Sequence, residues 1–164
     1  TYPAQFTRMT GIQLLSLGCS GNCKMQSYFA DALVDADVDA FIFDSFSNPT
    51  PEQIKERLFP FIEKLQAAHP GKPLIFQHTI YREKRNFDQS VDKAEQAKMD
   101  MADSLMHIAC KKYKDVYYID CTNATDPVHD SSIDGVHPGN NGYTRWAESV
   151  KKPIVKILKK YGIQ

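Results

Sequence analysis

The chain has no excess of charge of either sign: 20 Lys and Arg residues stand against 20 Asp and Glu in 164 residues. Nucleic acid and anionic membrane surfaces are met by basic excess, so the charge balance gives no reason to expect either as a partner. A small neutral or weakly charged molecule fits better. Long apolar runs are also missing. None comes near the roughly 20 residues of a membrane-spanning helix. Cysteine is scarce: Cys19, Cys23, Cys110 and Cys121 are too few and too scattered for a disulfide framework. Cys19 and Cys23 could form half a metal site, but no second Cys or His pair follows at ligand spacing, which favours small packed thiols over zinc. There is no internal repeat and no low-complexity segment to divide the chain.

What is present fits a single domain, long enough to bury about two thirds of the surface that its unfolded form would expose. Residues 2–10 read as a helix stopped by Gly11, a plausible left-handed cap. Ile12 to Cys19 (IQLLSLGC) is a short apolar run that suits a buried parallel strand. It empties into the tight loop Gly18-Cys19-Ser20-Gly21-Asn22, and a helix follows over Met25 to Val34. Asp39 to Phe46 is the second expected strand. Thr50, Pro51 and Gln53 then form an N-cap, N1 and N3 capping pattern for a helix to about Ala68, with Ile54, Leu58, Phe61, Ile62 and Leu65 on one face and Pro60 arguing for a kink. Lys72 to Ile80 is the third strand, Val91 to Tyr113 a long amphipathic helix, Val116 to Cys121 the fourth strand. Tyr143 to Tyr161 is the closing helix, interrupted by Pro153.

Strands alternating with helices predict an α/β fold with a four-stranded parallel sheet and helices on both faces. Such sheets bind ligands beyond the carboxyl ends of their strands. Four loops leave those ends: the glycine loop, the loop at Asn48, the polar stretch Tyr81 to Ser90, and Thr122 to Gly139.

Each loop carries residues with two readings. Backbone amides around Gly21 could donate to an oxyanion, or the loop is an ordinary strand-to-helix turn. Ser20 is not on a strained nucleophile elbow, which needs glycine two positions after the serine, where Asn22 stands. The Asn48 side chain could supply a second donor, or form an Asx-turn into Pro49. Asp134 and His137, with two residues between them, could be the orienter and base of an acyl-transfer triad, or an Asp-Gly turn and a His-Pro stop before the last helix. His69, His78, His107 and His129 have no sequence partner of this kind.

In their order, Ser20-Gly21-Asn22, Asn48 and Asp134-x-x-His137-Pro138 resemble the SGNH (GDSL-type) hydrolases, and the stretches Leu17 to Met25 and Asp44 to Glu52 are similar to a bacterial branch of that family in particular. The resemblance covers essentially the whole chain. It implies a three-layer α/β/α flavodoxin-like fold and ester hydrolysis without a metal or cofactor. His137 would be the base, Asp134 its orienter, and the Gly21 amide and Asn48 side chain two oxyanion donors. Arg82, Arg85, Asn86, Phe87, Tyr143 and Trp146 are candidates for contact with a small ester or acylated carbohydrate. In this family the nucleophilic serine ends a strand that precedes the glycine-loop strand. The helix at residues 2–10 matches the one after that serine, so the resemblance implies that the nucleophile and its strand lie upstream of Thr1. The alternative is a binding module that keeps the pocket without the chemistry.

Overall fold

The computed structural model describes residues 1–125 and 130–164, with the backbone alone at Asn123. His129 therefore lies outside the described residues. In chain order the elements are α1 (Tyr2–Thr10), α2 (Ser27–Val34), β1 (Phe41–Phe43), α3 (Pro51–Ala68), β2 (Leu74–Gln77), α4 (Gln89–Lys112), β3 (Val116–Ile119) and α5 (Asn140–Leu158). The three strands are parallel in the order β1-β2-β3, with Phe41 opposite Leu74 and Phe76 opposite Tyr118.

Strand side chains alternate between faces, and that alternation makes the layers. Phe41, Phe43, Leu74, Phe76 and Val116 point into one core, which α2, α3 and α4 cover with residues such as Leu33, Leu58, Ile62 and Met106. Ile75 and Ile119 point into the other, closed by Phe6 of α1 and Trp146, Val150, Ile154 and Leu158 of α5. The result is the expected α/β/α sandwich.

The local signals set most boundaries. Gly11, at φ 77°, ends α1. The Thr50 hydroxyl accepts from the Gln53 amide, and the Gln53 side chain accepts from the Thr50 amide, so α3 starts in a reciprocal capping box. The long helix begins two residues before the sequence expectation because Asp88 caps the amides of Ser90 and Val91. Neither proline interrupts its helix: α3 runs through Pro60 and α5 through Pro153. An internal proline costs about 3 kcal/mol. In α5 the burial of Val150, Ile154, Ile157 and Leu158, at about 1.5–3 kcal/mol each, outweighs it.

The sheet departs from expectation at its first member. Ile12 to Cys19 is not a strand, and the sheet has three strands among the described residues. A parallel strand needs a neighbour within about 4.8 Å to pair its amides and carbonyls. Residues 12–18 pair with no strand among the described residues. Together with β1, Asp44 and Ser45 they line a cleft of about 820 Å³. Ile12 and Leu14 still pack on the core shared by α1 and α5, whereas Leu15 is 76% and Leu17 50% exposed. The β1 edge that faces away from β2 is likewise unpaired among the described residues.

Candidate active site

Asp134 and His137 sit in an irregular loop ahead of α5, pinched at its base by an antiparallel bridge between Ser132 and Pro138. The two Asp134 oxygens do different work. Oδ1 accepts from the backbone amides of Val136 (2.9 Å) and His137 (2.7 Å), folding the Asp-Gly turn. Oδ2 accepts from Nδ1 of the His137 ring at 2.7 Å. These donors hold the Asp134 carboxyl well below the usual carboxylate range, the imidazole contact contributing most. With Nδ1 carrying the proton, Nε2 presents a lone pair, and the His137 side chain is 78% exposed. Among the described residues no hydroxyl or thiol is hydrogen-bonded to Nε2.

The loop is held from outside. Glu83, in a short 3-10 turn over Glu83–Asn86, accepts from the Ser131 amide at 2.6 Å through one oxygen. Its other oxygen accepts from the Ser132 amide at 3.2 Å and the Ser132 hydroxyl at 2.6 Å. The neighbouring Lys84 amide donates to the Gly135 carbonyl at 2.9 Å. Gly135 has φ 76°, and a Cβ there would lie 3.0 Å from the Lys84 nitrogen, so glycine is required by conformation and by space.

The Asn48 loop leaves the carboxyl end of β1. The Ser47 hydroxyl donates to Asp44 at 2.9 Å, and the Ser47 carbonyl accepts from Arg82 (2.6 Å) and from Lys98 (3.1 Å). Both cations also meet Glu95, at 2.9 and 2.7 Å, and Glu95 and Lys98 are buried on α4. The Asn48 side chain is half-buried and has no hydrogen-bond partner among the described residues. Gly21 lies in an exposed turn at φ 72°, closed by the Asn22 amide donating to the Cys19 carbonyl at 2.8 Å. No hydrogen bond among the described residues links this turn to the other two loops.

The arginines expected at a substrate have partners within the protein. Arg82 is engaged by Glu95 and Ser47. Arg85 bonds Asp92 and Gln96, and its guanidinium lies 4.9 Å from the Tyr81 ring centroid. Trp146 is core: its indole donates to Gln77 at 2.9 Å and it stacks on Tyr2 at 4.3 Å. Tyr143 stacks in turn on Trp146 and stays half-buried, Asn86 accepts from the Tyr81 hydroxyl at 2.6 Å, and Phe87 is 88% exposed. His78 pairs with Asp103 at 3.4 Å and His69 with the Leu33 carbonyl, both away from this loop in sequence and bonding. Glu83, Glu95 and Lys98 were not singled out by sequence. The only signal was the length and polarity of the Tyr81 to Ser90 stretch, which marks a functional loop without naming residues.

The model of the GDSL-like lipase/acylhydrolase family matches residues 1–156. The chain belongs to this family. Among solved structures, a GDSL-like protein of Bacteroides ovatus is 35% identical with a TM-score of 0.91, covering 96% of this chain and 47% of that one. The salicylyl-acyltransferase SsfX3 of a tetracycline biosynthetic pathway shares 20% identity (TM-score 0.76; 100% of this chain, 50% of that one). An acetyl esterase mutant with an acetate ion shares 16% (TM-score 0.71; 97% and 91%). The last two show the fold alone. No curated protein matches the chain. The GDSL-family chain thus spans about half the length of the first two structures.

Proposed function

We propose that the protein hydrolyses small, acetyl-like acyl esters, including those on carbohydrate, through a Ser-His-Asp mechanism. The observation that carries this reading is the Asp134–His137 hydrogen bond, which orients an exposed imidazole with its Nε2 outward at the end of the sheet where ligands bind. The family, lipase/acylhydrolase by description, supports the reaction class.

The serine is assigned to a strand outside residues 1–164 that fills the cleft between residues 12–18 and β1. Three features support this. The cleft is lined by residues 12–18, which join no strand, and by the β1 strand, whose edge away from β2 is unpaired among the described residues. Its rim includes Gly18 and Ser45, so a strand lying in it parallel to β1 ends between the glycine loop and the Asn48 loop. Ser20 belongs to an exposed turn, and the Ser47 and Ser132 hydroxyls are bonded to Asp44 and Glu83.

In the reaction the serine Oγ forms a bond to the acyl carbon while His137 Nε2 takes the Oγ proton. The carbonyl oxygen becomes an oxyanion, held by the Gly21 amide and the Asn48 side chain, each such donor being worth about 3–4 kcal/mol in the transition state. Collapse breaks the bond to the alcohol, which receives the proton from Nε2. Water then repeats the sequence on the acyl-enzyme. Arg82 and Arg85, already bonded within the protein, serve the site by holding its loops, leaving Tyr143 as the candidate contact. A shallow hollow of about 260 Å³ beside the loop, with Asp130, Ser132, Asn140 and Asn141 in its wall, suits a hydroxylated alcohol better than a long acyl chain.

Turnover of p-nitrophenyl acetate by the full gene product tests the proposal. His137→Ala should lower kcat about a thousandfold or more. Binding of acylated sugars without turnover in either protein would mean a binding module instead.

A further inference from the structure

The two loops of the proposed site have little to fix them relative to each other. The Asn48 loop follows a strand of only three residues. The His137 loop is part of a long connection between β3 and α5 whose described ladder contact is the single bridge Ser132–Pro138. Between them runs one short piece of chain. Arg82 reaches the first loop through the Ser47 carbonyl. Glu83, the next residue, takes three hydrogen bonds from Ser131 and Ser132 in the second, and Lys84 closes on Gly135. Behind Arg82, Glu95 and Lys98 anchor the arrangement to α4, the longest helix, with Lys98 bonding the same Ser47 carbonyl.

We propose that Arg82, Glu83 and Lys84 form a strut that sets the position of the Asn48 amide relative to the His137 imidazole, which makes Arg82 and Glu83 positioning residues of the site. The proposal rests on the hydrolytic reading above. An oxyanion donor and a base act on atoms of the same tetrahedral intermediate, so their separation must be held to a fraction of an ångström, and a misplacement of 1 Å can cost about a hundredfold in rate. Hydrogen bonds from adjacent residues to both loops provide that constraint.

The test is a double-mutant cycle on the full gene product with Arg82→Gln and Glu83→Gln, followed by p-nitrophenyl acetate hydrolysis. Each single variant should lower kcat about a hundredfold with KM nearly unchanged. The double variant should lose little more than either single one, because cutting the strut at one end already uncouples the loops. Effects that multiply, or that fall on KM, would overturn the strut in favour of separate substrate contacts. Ser132→Ala, which removes one of the three bonds to Glu83, gives a smaller loss of the same kind if a charge-removing variant fails to fold. Amide hydrogen exchange reports on the strut without activity: Glu83→Gln should speed exchange not only at Ser131 and Ser132 but also at Thr50, whose amide is bonded to Gln53 at the far end of the Asn48 loop, across the strut. Exchange confined to Ser131 and Ser132 would sink the proposal. A wild-type protein without turnover would refute the hydrolytic reading while leaving the exchange result to decide the coupling.

Discussion

At the scale of single residues, two readings of Asp134 turn out to be compatible. A turn-forming aspartate and a histidine-orienting aspartate were alternatives in sequence, yet one carboxylate performs both tasks because it has two oxygens. Short-range chemistry of this kind is legible, since residues three apart must meet once the turn forms. The partners of Arg82 and Glu83 were not, because Ser47 and Ser131 lie tens of residues away and nothing in a polar stretch distinguishes a strut from solvated charge. Asp44 shows how such contacts tune a group. Burial raises its carboxyl pKa, opposed by the Ser47 hydroxyl and by Arg82 and Lys98. A carboxyl whose folded pKa exceeds its unfolded one binds more protons in the folded state just above the ordinary carboxylate value, so stability falls as pH rises through that window. Asp44→Asn should remove this part of the slope. Denaturation curves from about pH 4 to pH 7 check it, and an unchanged slope would refute the assignment.

At the scale of elements, what a segment makes for itself was readable and what it makes with a neighbour was not. The α3 cap is local: Thr50, Pro51 and Gln53 specify it within four residues. Thr50→Ala should therefore cost about 1 kcal/mol, seen as a lower denaturation midpoint at unchanged m-value. Because Thr50 follows Asn48 by two residues, the same substitution should also loosen the amide exchange of that loop. The apolar run Ile12 to Cys19 is the opposite case. Its composition suits a strand, but composition records the environment a segment is built for, and strand pairing depends on a second chain segment at the right distance. It lines the same cleft as β1 and pairs with no strand among the described residues. The interruption expected at Pro153 is missing for a related reason: burial of one face carries α5 through that proline, which local propensity alone disfavours.

At the scale of the whole molecule, the layers, the parallel sheet and the rim of loops follow from alternating apolar segments, whereas the cleft follows from the absence of a pairing partner for two particular edges. Its energetic consequence can be stated. Leu15 and Leu17 are largely exposed, and covering a leucine stabilises by about 1.5–3 kcal/mol. In β1 the Phe41 amide bonds the Pro73 carbonyl, and alternation in a parallel ladder turns the Ile42 amide and carbonyl toward the cleft. A strand seated there would satisfy Ile42, pair residues 12–18 and bury both leucines at once. The Ile42 amide is thus the reporter. In residues 1–164 alone it should exchange far faster than the amides of β2. In the full gene product it should be protected like them, together with amides of residues 12–18. Rapid exchange at Ile42 in both would mean that no strand occupies the cleft, and the serine would have to reach His137 by another route.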